Sequence, residues 1–233
     1  MAASISTSST ASPVAALDHA HLMDRIYAHQ RHIYDVTRAY YLLGRNHLIR
    51  SLDLPKGATV LEIGCGTGRN LIAAAKHYPD ARFFGFDISS EMLRTAEGRI
   101  ARRGLSSRIR ITQGDATNFS AEDLFGRVKF DAVFISYSLS MMPEAPQVIA
   151  NALACLKSNA RLHIVDFGRQ EGLPAFWRRI LYTWLDLFHV HPEAIEIANA
   201  IRHAGGRLTW RQSLYRGYAQ YFEAKNPRPG FAP

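Results

Sequence analysis

The sequence has little cysteine and no long run of uncharged hydrophobic residues. Two of the 233 residues are cysteines, Cys65 and Cys155, which is too few for a disulfide framework. The ten histidines are scattered, without the Cys or carboxylate neighbours that a metal site needs, so we expect no metal. No window approaches the roughly 18 to 20 apolar residues of a membrane-spanning helix. The N-terminus also lacks the basic and apolar regions of a secretory signal peptide, and we therefore expect a cytoplasmic protein.

Positive charge is in excess over negative charge. Lys and Arg number 28 and Asp and Glu number 20, which gives a net charge of +8. Such an excess favours an anionic partner, which would be nucleic acid, an acidic lipid surface or a substrate that bears a carboxylate. It is equally compatible with a merely soluble basic surface. Charge alone does not decide between these alternatives.

The chain divides into a short tail and one domain. Residues 1–16 are mostly Ala, Ser and Thr, a composition that predicts a disordered tail because it buries too little apolar surface. The whole chain is 47% hydrophobic, and residues 17–233 are predicted to form a single domain, since a second core would be too small. Apolar residues recur at mixed three- and four-residue spacing, which predicts a helical prefix over residues 17–54; they are Leu22, Ile26, Ile33, Val36 and Tyr40.

Strand and helix patterns alternate after the prefix. Strands are predicted over residues 59–63, 82–86, 108–113, 130–135 and 161–165, and helices over residues 70–77, 91–103 and 146–156. Helical patterns follow at 176–190 and 194–203, and residues 207–214 and 218–224 form a closing antiparallel strand pair. The sequence therefore predicts a Rossmann-like α/β fold: a mostly parallel seven-stranded sheet with helices on both faces.

A glycine-rich turn follows the first predicted strand. Glu62 ends an apolar run, and Gly64, Gly66 and Gly68 follow at alternate positions, which lets the backbone pass close to a ligand. The dinucleotide fingerprint requires Gly-x-Gly-x-x-Gly, but here the third glycine comes one residue early and Arg69 follows it. A pyrophosphate ligand is therefore disfavoured.

The Glu-x-Gly-x-Gly-x-Gly pattern resembles the first motif of the class I methyltransferases, and further family motifs follow in register. Phe86-Asp87-Ile88-Ser89 ends strand two, Gly114-Asp115-Ala116 follows strand three, and Phe130-Asp131-Ala132-Val133 opens strand four. The resemblance implies S-adenosylmethionine as the cofactor and S-adenosylhomocysteine as the product. Asp87 would bind the ribose hydroxyls and Asp115 the adenine amino group, although both residues could instead be helix caps or turn formers.

Other residues take roles from the same resemblance. Glu62 would act near the methionyl amino group, whereas Asp131 is interpreted as structural because it begins a strand, away from the ligand edge. The predicted cofactor-binding residues are Tyr34, Glu62, Gly64, Cys65, Gly66, Gly68, Asn70, Asp87, Ile88, Met92, Asp115, Ala116 and Ser136.

A segment rich in aromatic and basic residues, 29–45, precedes strand one. Its Tyr34-Asp35 pair is common in class I enzymes that methylate lipids and quinones. The longer string Tyr40-Tyr41-Leu42-Leu43-Gly44-Arg45 resembles the bacterial diacylglycerylhomoserine N-methyltransferases. This resemblance implies successive methylation of an amine to give the betaine lipid diacylglyceryl-trimethylhomoserine. It also implies an anionic membrane surface and an upstream aminocarboxypropyl transferase as partners.

The lipid head group suggests the residues that would handle it. Arg38 and Arg45 are candidates for its carboxylate, since a guanidinium forms a fork with carboxylate oxygens. Tyr40 offers an aromatic face to the quaternary ammonium, and Tyr34, Tyr41 and Tyr137 are the candidate catalytic residues. As alternatives, each arginine is a solvated helix charge and Tyr40 belongs to the core.

Three rival functions and one open structural question remain. A phosphatidylethanolamine or quinone methyltransferase would share the fold. A nucleic-acid methyltransferase is disfavoured, because Ile135-Ser136-Tyr137-Ser138 stands where an Asn-Pro-Pro-Tyr type motif is expected. A non-catalytic subunit would bind the cofactor without turnover. The aromatic helical segment 176–188 would either lie on a membrane, as a peripheral association requires, or pack in the core.

Overall fold

A computed structural model describes residues 42–142, 144–172, 174, 176, 178, 179 and 196–226. Within them, seven strands form one sheet in the order β3-β2-β1-β4-β5-β7-β6. The strands are β1 (Thr59–Ile63), β2 (Arg82–Asp87), β3 (Ile109–Gln113), β4 (Phe130–Ser136), β5 (Leu156–Phe167), β6 (Arg207–Leu214) and β7 (Ala219–Lys225). Strands β1 to β5 are parallel, whereas β7 pairs antiparallel with both β5 and β6. The predicted Rossmann-like fold, with its C-terminal antiparallel pair, is confirmed.

Helices follow most of the parallel strands, and local sequence sets several of their ends. They are α1 (Arg45–Arg50), α2 (Arg69–His77), α3 (Ser90–Ala101), α4 (Ala121–Phe125), α5 (Ala145–Ala154) and α6 (Ile197–His203). The hydroxyl of Ser89 accepts a hydrogen bond from the backbone N–H of Met92 at the start of α3, as N-cap residues do. Ser120 caps α4 in the same way, and Gly126, in the left-handed conformation, ends it.

The central strands β1 and β4 are buried on both faces, as parallel strands between helices must be. Every residue of β1 is buried, and successive side chains enter opposite cores. Val60 packs with residues of α1, α2 and α3, whereas Leu61 packs with residues of α4, α5 and α6. Because both faces of these strands are covered, a ligand binds at the carboxyl ends of the strands, where the loops lie.

The observed elements differ from the predicted ones mainly at their ends. The predicted helix 146–156 ends at Ala154, because Leu156 already pairs with Phe130 at the start of a long β5. A register shift between Phe130 and Ala132 lets β5 continue beside β4 as far as Val165. The short helix α4 was not predicted.

Several predictions concern residues outside the described part of the chain. The tail 1–16, most of the helical prefix 17–54 and most of the segment 176–190 lie there. Of the prefix, the structure shows α1, and of the aromatic segment it shows residues 176, 178 and 179 as helical. The single-domain organisation stays a prediction. Among the described residues, no helix is long and apolar enough to cross a membrane, and no cluster of three potential metal ligands occurs.

Candidate functional site

A cavity of about 300 Å³ lies at the carboxyl ends of β1, β2 and β4. Its position matches the ligand crevice of open α/β sheets. Among the residues that were predicted to bind cofactor or substrate or to act in catalysis, those that line it are Arg45, Gly64, Cys65, Gly66, Asn70, Asp87, Met92, Ser136 and Tyr137.

The glycine-rich turn forms the wall of this cavity with its backbone. The N–H groups of Gly64 and Cys65 both donate to the carbonyl of Phe86 at 3.0 Å, which fixes the turn against β2. Gly64 has a φ of 70°, and a Cβ there would lie 2.6 Å from Oγ of Ser138. Gly66 has a φ of 51°, but a Cβ there would meet nothing within 4 Å. The backbone of Gly66 is therefore open to a ligand, while Gly64 is required for close packing.

Asp87 ends β2 beside this turn. Its Oδ2 accepts the N–H of Gly66 at 2.7 Å and its Oδ1 accepts the N–H of Ser89 at 3.0 Å. These bonds hold a carboxylate in the cavity lining at the tip of a strand, where an acidic residue binds ribose hydroxyls in nucleotide-binding α/β sheets. The ribose-binding role of Asp87 stays a prediction that this geometry favours.

A buried carboxyl group lies under the same turn. Glu62 is fully buried, and its Oε1 accepts a hydrogen bond of 2.8 Å from Nδ2 of Asn70. Burial raises the pKa of Glu62 to about 8, although the amide of Asn70 and the charge of Arg45 oppose that rise. Oε2 of Glu62 and Oδ1 of Asn70 are buried without a hydrogen-bond partner. Asn70 lines the cavity, whereas Glu62 lies behind it, outside the lining. Two unpaired oxygens call for a donor, and an ammonium group of a ligand fits them.

Arg45 is the first residue of α1 and lies in the cavity wall. It is buried, and its Nε donates to the carbonyl of Leu42 at 3.1 Å. Gly44 precedes it with a φ of 88°, and a Cβ there would lie 3.1 Å from Val165 and 3.2 Å from Leu214. Arg45 was predicted to bind the substrate carboxylate, and the structure places its charge within electrostatic reach of Glu62.

Tyr137 follows β4 with a left-handed φ of 56° and is buried. Its hydroxyl donates to the carbonyl of Leu43, and its ring meets that of Phe167 edge-on at 4.7 Å. Burial raises the pKa of Tyr137 well above its usual value. The neutral phenol is therefore its stable form. Its hydroxyl proton is already used in the hydrogen bond to the carbonyl of Leu43.

Other predicted residues lie outside the cavity lining or outside the described residues. Asp115 holds the turn after β3, where its Oδ1 accepts from the N–H of Thr117 at 2.9 Å and from its hydroxyl at 2.8 Å. Ala116 is buried in the core on the α5 face, and Ile88 is partly buried with its carbonyl bonded to Gln113. The roles predicted for these three residues stay predictions. Gly68 is the N-cap of α2, and Tyr34, Arg38, Tyr40 and Tyr41 lie outside the described residues.

Asp131 has structural partners at the opposite edge of the sheet. Its Oδ2 accepts the N–H of Thr59 at 2.8 Å and the amino group of Lys157 at 2.8 Å. These contacts join the starts of β1, β4 and β5. They match the structural interpretation made from its position at the beginning of a strand.

Three arginines that sequence reasoning missed also line the cavity. They are Arg69, Arg99 and Arg103. Nη1 of Arg99 donates to the hydroxyl of Thr67 at 2.7 Å, and burial lowers the pKa of Arg69. The four-residue spacing of Arg99 and Arg103 was a signal that both face one side, but only the fold shows that this side is the cavity.

Comparison with known proteins assigns the chain to a family. A model of the methyltransferase domain matches residues 54–212, which is more than half of the chain. The chain belongs to this methyltransferase family. S-adenosylmethionine is the family's cofactor. The buried, unpaired oxygens of Glu62 and Asn70 fit its amino group, and the open turn at Gly66 leaves space for the rest of the molecule.

Curated relatives include several quinone methyltransferases. The demethylmenaquinone methyltransferase of Lactobacillus johnsonii is 31% identical over 123 residues, covering 52% of this chain and 49% of that protein. The enzyme of the same name from Thermobifida fusca is 28% identical over 221 residues, covering 80% of this chain and 90% of that one. The match spans about half the length of the Lactobacillus johnsonii relative.

Solved structures show the same fold at low sequence identity. A SAM-dependent methyltransferase from Aquifex aeolicus superposes with a TM-score of 0.62 at 19% identity, covering 80% of this chain and 92% of that one. The [4+2]-cyclase SpnF superposes with a TM-score of 0.64 at 18% identity, covering 78% and 80% of the two chains. Because a cyclase shares the fold, the fold alone does not specify the reaction.

Proposed function

We propose that this methyltransferase N-methylates the amine of diacylglycerylhomoserine in successive rounds to give diacylglyceryl-trimethylhomoserine. The observation that carries the proposal is the charge of the cavity. Four arginines and a single acidic residue, Asp87, occur among the described residues that line it. S-adenosylmethionine itself carries a net positive charge, so a cavity of this kind favours an acceptor that brings a negative one.

The acceptor head group satisfies this requirement through its carboxylate, which gives it a net negative charge once its amine is neutral. It presents a carboxylate beside the amine to be methylated, and a guanidinium binds a carboxylate through two parallel hydrogen bonds. Arg45 belongs to the segment that resembles the diacylglycerylhomoserine enzymes and lies in the cavity wall. Arg69 lines the same cavity half-buried, with Nη1 in no hydrogen bond. Arg38, outside the described residues, remains a further candidate for the carboxylate.

The chain's residues have a limited chemical task. S-adenosylmethionine supplies a methyl group already activated on a sulfonium. Glu62, Asn70 and Asp87 hold and orient the ligand, and orientation of two reactants removes much of the barrier to such a displacement. The amine must be neutral to react, and free α-amino groups titrate near 8, so water or a tyrosine hydroxyl suffices to accept its proton. Tyr34 and Tyr41 are the tyrosines proposed for that step, and Tyr137 is proposed to position the amine as a neutral phenol.

Access to a two-chain lipid requires contact with a membrane. Phe176 is 68% exposed, and Arg178 and Arg179 beside it are exposed. Aromatic and basic residues side by side favour binding to an anionic bilayer. We therefore propose peripheral membrane association, with the upstream aminocarboxypropyl transferase as the supplier of the lipid. Binding of the wild-type protein to vesicles should rise with the content of anionic lipid, and the double variant Arg178→Ala/Arg179→Ala should bind anionic vesicles more weakly than the wild-type protein does.

A quinone acceptor is the second candidate function, because the demethylmenaquinone methyltransferases are among the relatives. A quinone brings no negative charge, so a quinone acceptor would not bind to the arginines of the cavity. The two candidates therefore differ in the acceptor that the purified protein should methylate.

The deciding experiment offers three acceptors in otherwise identical vesicles: diacylglycerylhomoserine, phosphatidylethanolamine and demethylmenaquinone. Lipid mass spectrometry after incubation with S-adenosylmethionine should show products of the first lipid that are heavier by one, two and three methyl additions. The Asp87→Ala variant is the inactive control. Methylation of demethylmenaquinone with none of diacylglycerylhomoserine would overturn the proposal in favour of the second candidate.

A further inference from the structure

The tip of the hairpin between β6 and β7 has residues that its own conformation does not favour. Tyr215 and Arg216 take left-handed backbone conformations, with φ of 53° and 58°. Two successive left-handed residues in a turn between strands favour Asn and Gly, because other side chains raise the energy of that conformation. Tyr215 is nevertheless 53% exposed, and Arg216 is exposed as well. Residues that break a local rule without a gain in packing are expected at functional sites.

The hairpin tip lies at the carboxyl edge of the sheet, against the segment that follows β5. Ala219, the first residue of β7, pairs with Phe167, the last residue of β5. The N–H of Gly172 donates to the carbonyl of Arg216 at 3.0 Å, and a Cβ at Gly172 would lie 2.8 Å from the Cβ of Arg216. Phe176 follows Gly172 closely in the sequence. The two exposed aromatic side chains therefore belong to segments that are in contact.

The same tip adjoins the wall of the cofactor cavity. A Cβ at Gly44 would lie 3.2 Å from Cδ1 of Leu214, so the residue before Tyr215 packs beside the residue after Leu43. The carbonyl of Leu43 accepts a hydrogen bond from the hydroxyl of Tyr137, which lines the cavity. The side chain of Leu43 is itself exposed. An apolar surface beside the cavity thus continues from Leu43 to the hairpin tip.

Exposed apolar side chains are concentrated at this edge. Five large ones occur in the described part of the chain, and three of them lie here: Leu43, Phe176 and Tyr215. Of the other two, Trp210 lies within β6, and Val128 lies just before β4 at the opposite edge. Single exposed apolar side chains are ordinary on soluble proteins, whereas several on neighbouring segments indicate a contact surface.

The charge of the neighbouring residues indicates the partner. On the hairpin tip and the described residues 168–179, the exposed charged residues are Arg169, Glu171, Arg178, Arg179 and Arg216. Arg169 forms an ion pair with Glu196 at 3.3 Å, which still leaves an excess of arginine. A second copy of the chain would bring the same positive charge to the contact and be repelled. Aromatic rings with arginines match an anionic bilayer, where rings lie at the level of the head groups and arginines attract anionic lipids.

We propose that the hairpin tip Tyr215-Arg216, together with Leu43 and Phe176, docks the protein on an anionic bilayer. This inference rests on the proposed function, which requires access to a membrane lipid, and it adds the contact that places the cavity beside Tyr137 at the bilayer surface. An acceptor whose acyl chains stay in the bilayer can then present its head group to the cavity.

The test measures binding to vesicles that contain no methyl acceptor. Tyr215→Asn/Arg216→Asp removes the ring and reverses the charge, and Asn and Asp tolerate the left-handed conformation. Vesicles of phosphatidylcholine and phosphatidylglycerol should bind this variant roughly 10-fold to 50-fold more weakly than the wild-type protein. The matched control is Val128→Ser/Lys56→Glu, at exposed residues just before β4 and β1. It should bind these vesicles nearly as the wild type does, and both variants should keep the wild-type affinity for S-adenosylhomocysteine.

A second measurement keeps an aromatic ring at the tip and does not depend on weakened binding. In Tyr215→Trp, the fluorescence gained relative to the wild-type protein should be quenched by brominated lipids in anionic vesicles. The fluorescence gained in Val128→Trp, at the opposite edge, should not be quenched.

Four results would overturn the inference. They are a wild-type protein that does not bind anionic vesicles, an equal loss of binding in the two double variants, unquenched fluorescence in Tyr215→Trp, and dissociation of a wild-type oligomer by the hairpin variant without vesicles. The last result would make this surface an interface between copies of the chain. Because no vesicle here contains an acceptor, a failure to methylate diacylglycerylhomoserine would refute the proposed function without deciding the docking surface.

Discussion

The affinity of the protein for its cofactor should depend steeply on pH because of Glu62. This carboxyl group is fully buried, and its pKa is raised to about 8 in the protein without ligand. The unpartnered Oε2 binds an ammonium group much more strongly when the carboxyl group is ionised. Cofactor binding at neutral pH must therefore release a proton from Glu62.

The size of the effect follows from that pKa. With a pKa near 8, about one molecule in ten has an ionised Glu62 at pH 7 and about one in a hundred at pH 6. The dissociation constant should therefore fall about tenfold between pH 6 and pH 7, which is about 1.4 kcal/mol. The dependence should level off near pH 8, where the amino group of the ligand begins to lose its own proton.

Calorimetry with S-adenosylhomocysteine measures both quantities. Titrations at pH 7 in two buffers of different ionisation enthalpy should show the release of about 0.9 proton, as the fraction of protonated Glu62 requires. Glu62→Gln is the control, because its amide keeps the shape but cannot titrate. Its affinity should be independent of pH between 6 and 7, and its heats at pH 7 should not differ between the buffers. Equal wild-type affinity at pH 6 and pH 8 would refute the reasoning.

Three further predictions concern single residues. Asp87→Ala should weaken S-adenosylhomocysteine binding by about 1 to 3 kcal/mol, since buried hydroxyls lose their acceptor; calorimetry within twofold of wild type would remove Asp87 from the site. Gly64→Ala should lower the melting temperature because its Cβ would meet Ser138, and adding Ser138→Gly should restore part of the loss but not the part due to the positive φ. Burial raises the pKa of Asp166 to about 6, so its contribution to stability is greatest below pH 4 and is lost as the pH rises through 6, by roughly 3 kcal/mol. The difference in unfolding free energy between the wild type and Asp166→Asn should follow this course in urea titrations, and a difference that is constant with pH would contradict it.

Positions that depend on strand periodicity were predictable from the sequence. Asp87 and Glu62 lie where a run of apolar residues ends. The end of a parallel strand marks the ligand edge independently of the contacts made by other parts of the chain. The same reasoning placed Asp131 at the opposite edge. Local signals of this kind need no knowledge of distant contacts.

Contacts between distant parts of the chain were not predictable. The bond from Tyr137 to Leu43 joins residues 94 positions apart, and no pattern in either segment indicates it. The close approach of Gly168 to Gly217, where a Cβ at Gly168 would lie 2.2 Å from the carbonyl oxygen, is likewise visible only in the folded backbone. Helix ends shifted for a related reason: Leu156 was assigned to a helix by its local pattern, but pairing with Phe130 draws it into β5.

The contacts that hold Gly44 and Arg45 in place have a consequence for the order in which the cofactor cavity forms during synthesis. Gly44, which sets the start of α1, packs against Val165 of β5, Leu214 of β6 and Ala219 of β7. A ribosome makes the N-terminal residue of this set first and its C-terminal neighbours last, and domains generally fold as units when their chain is available. The glycine-rich turn and Asp87 can therefore assemble on the nascent chain well before Arg45 is fixed. The cofactor cavity gains its complete wall only after the final hairpin has left the ribosome.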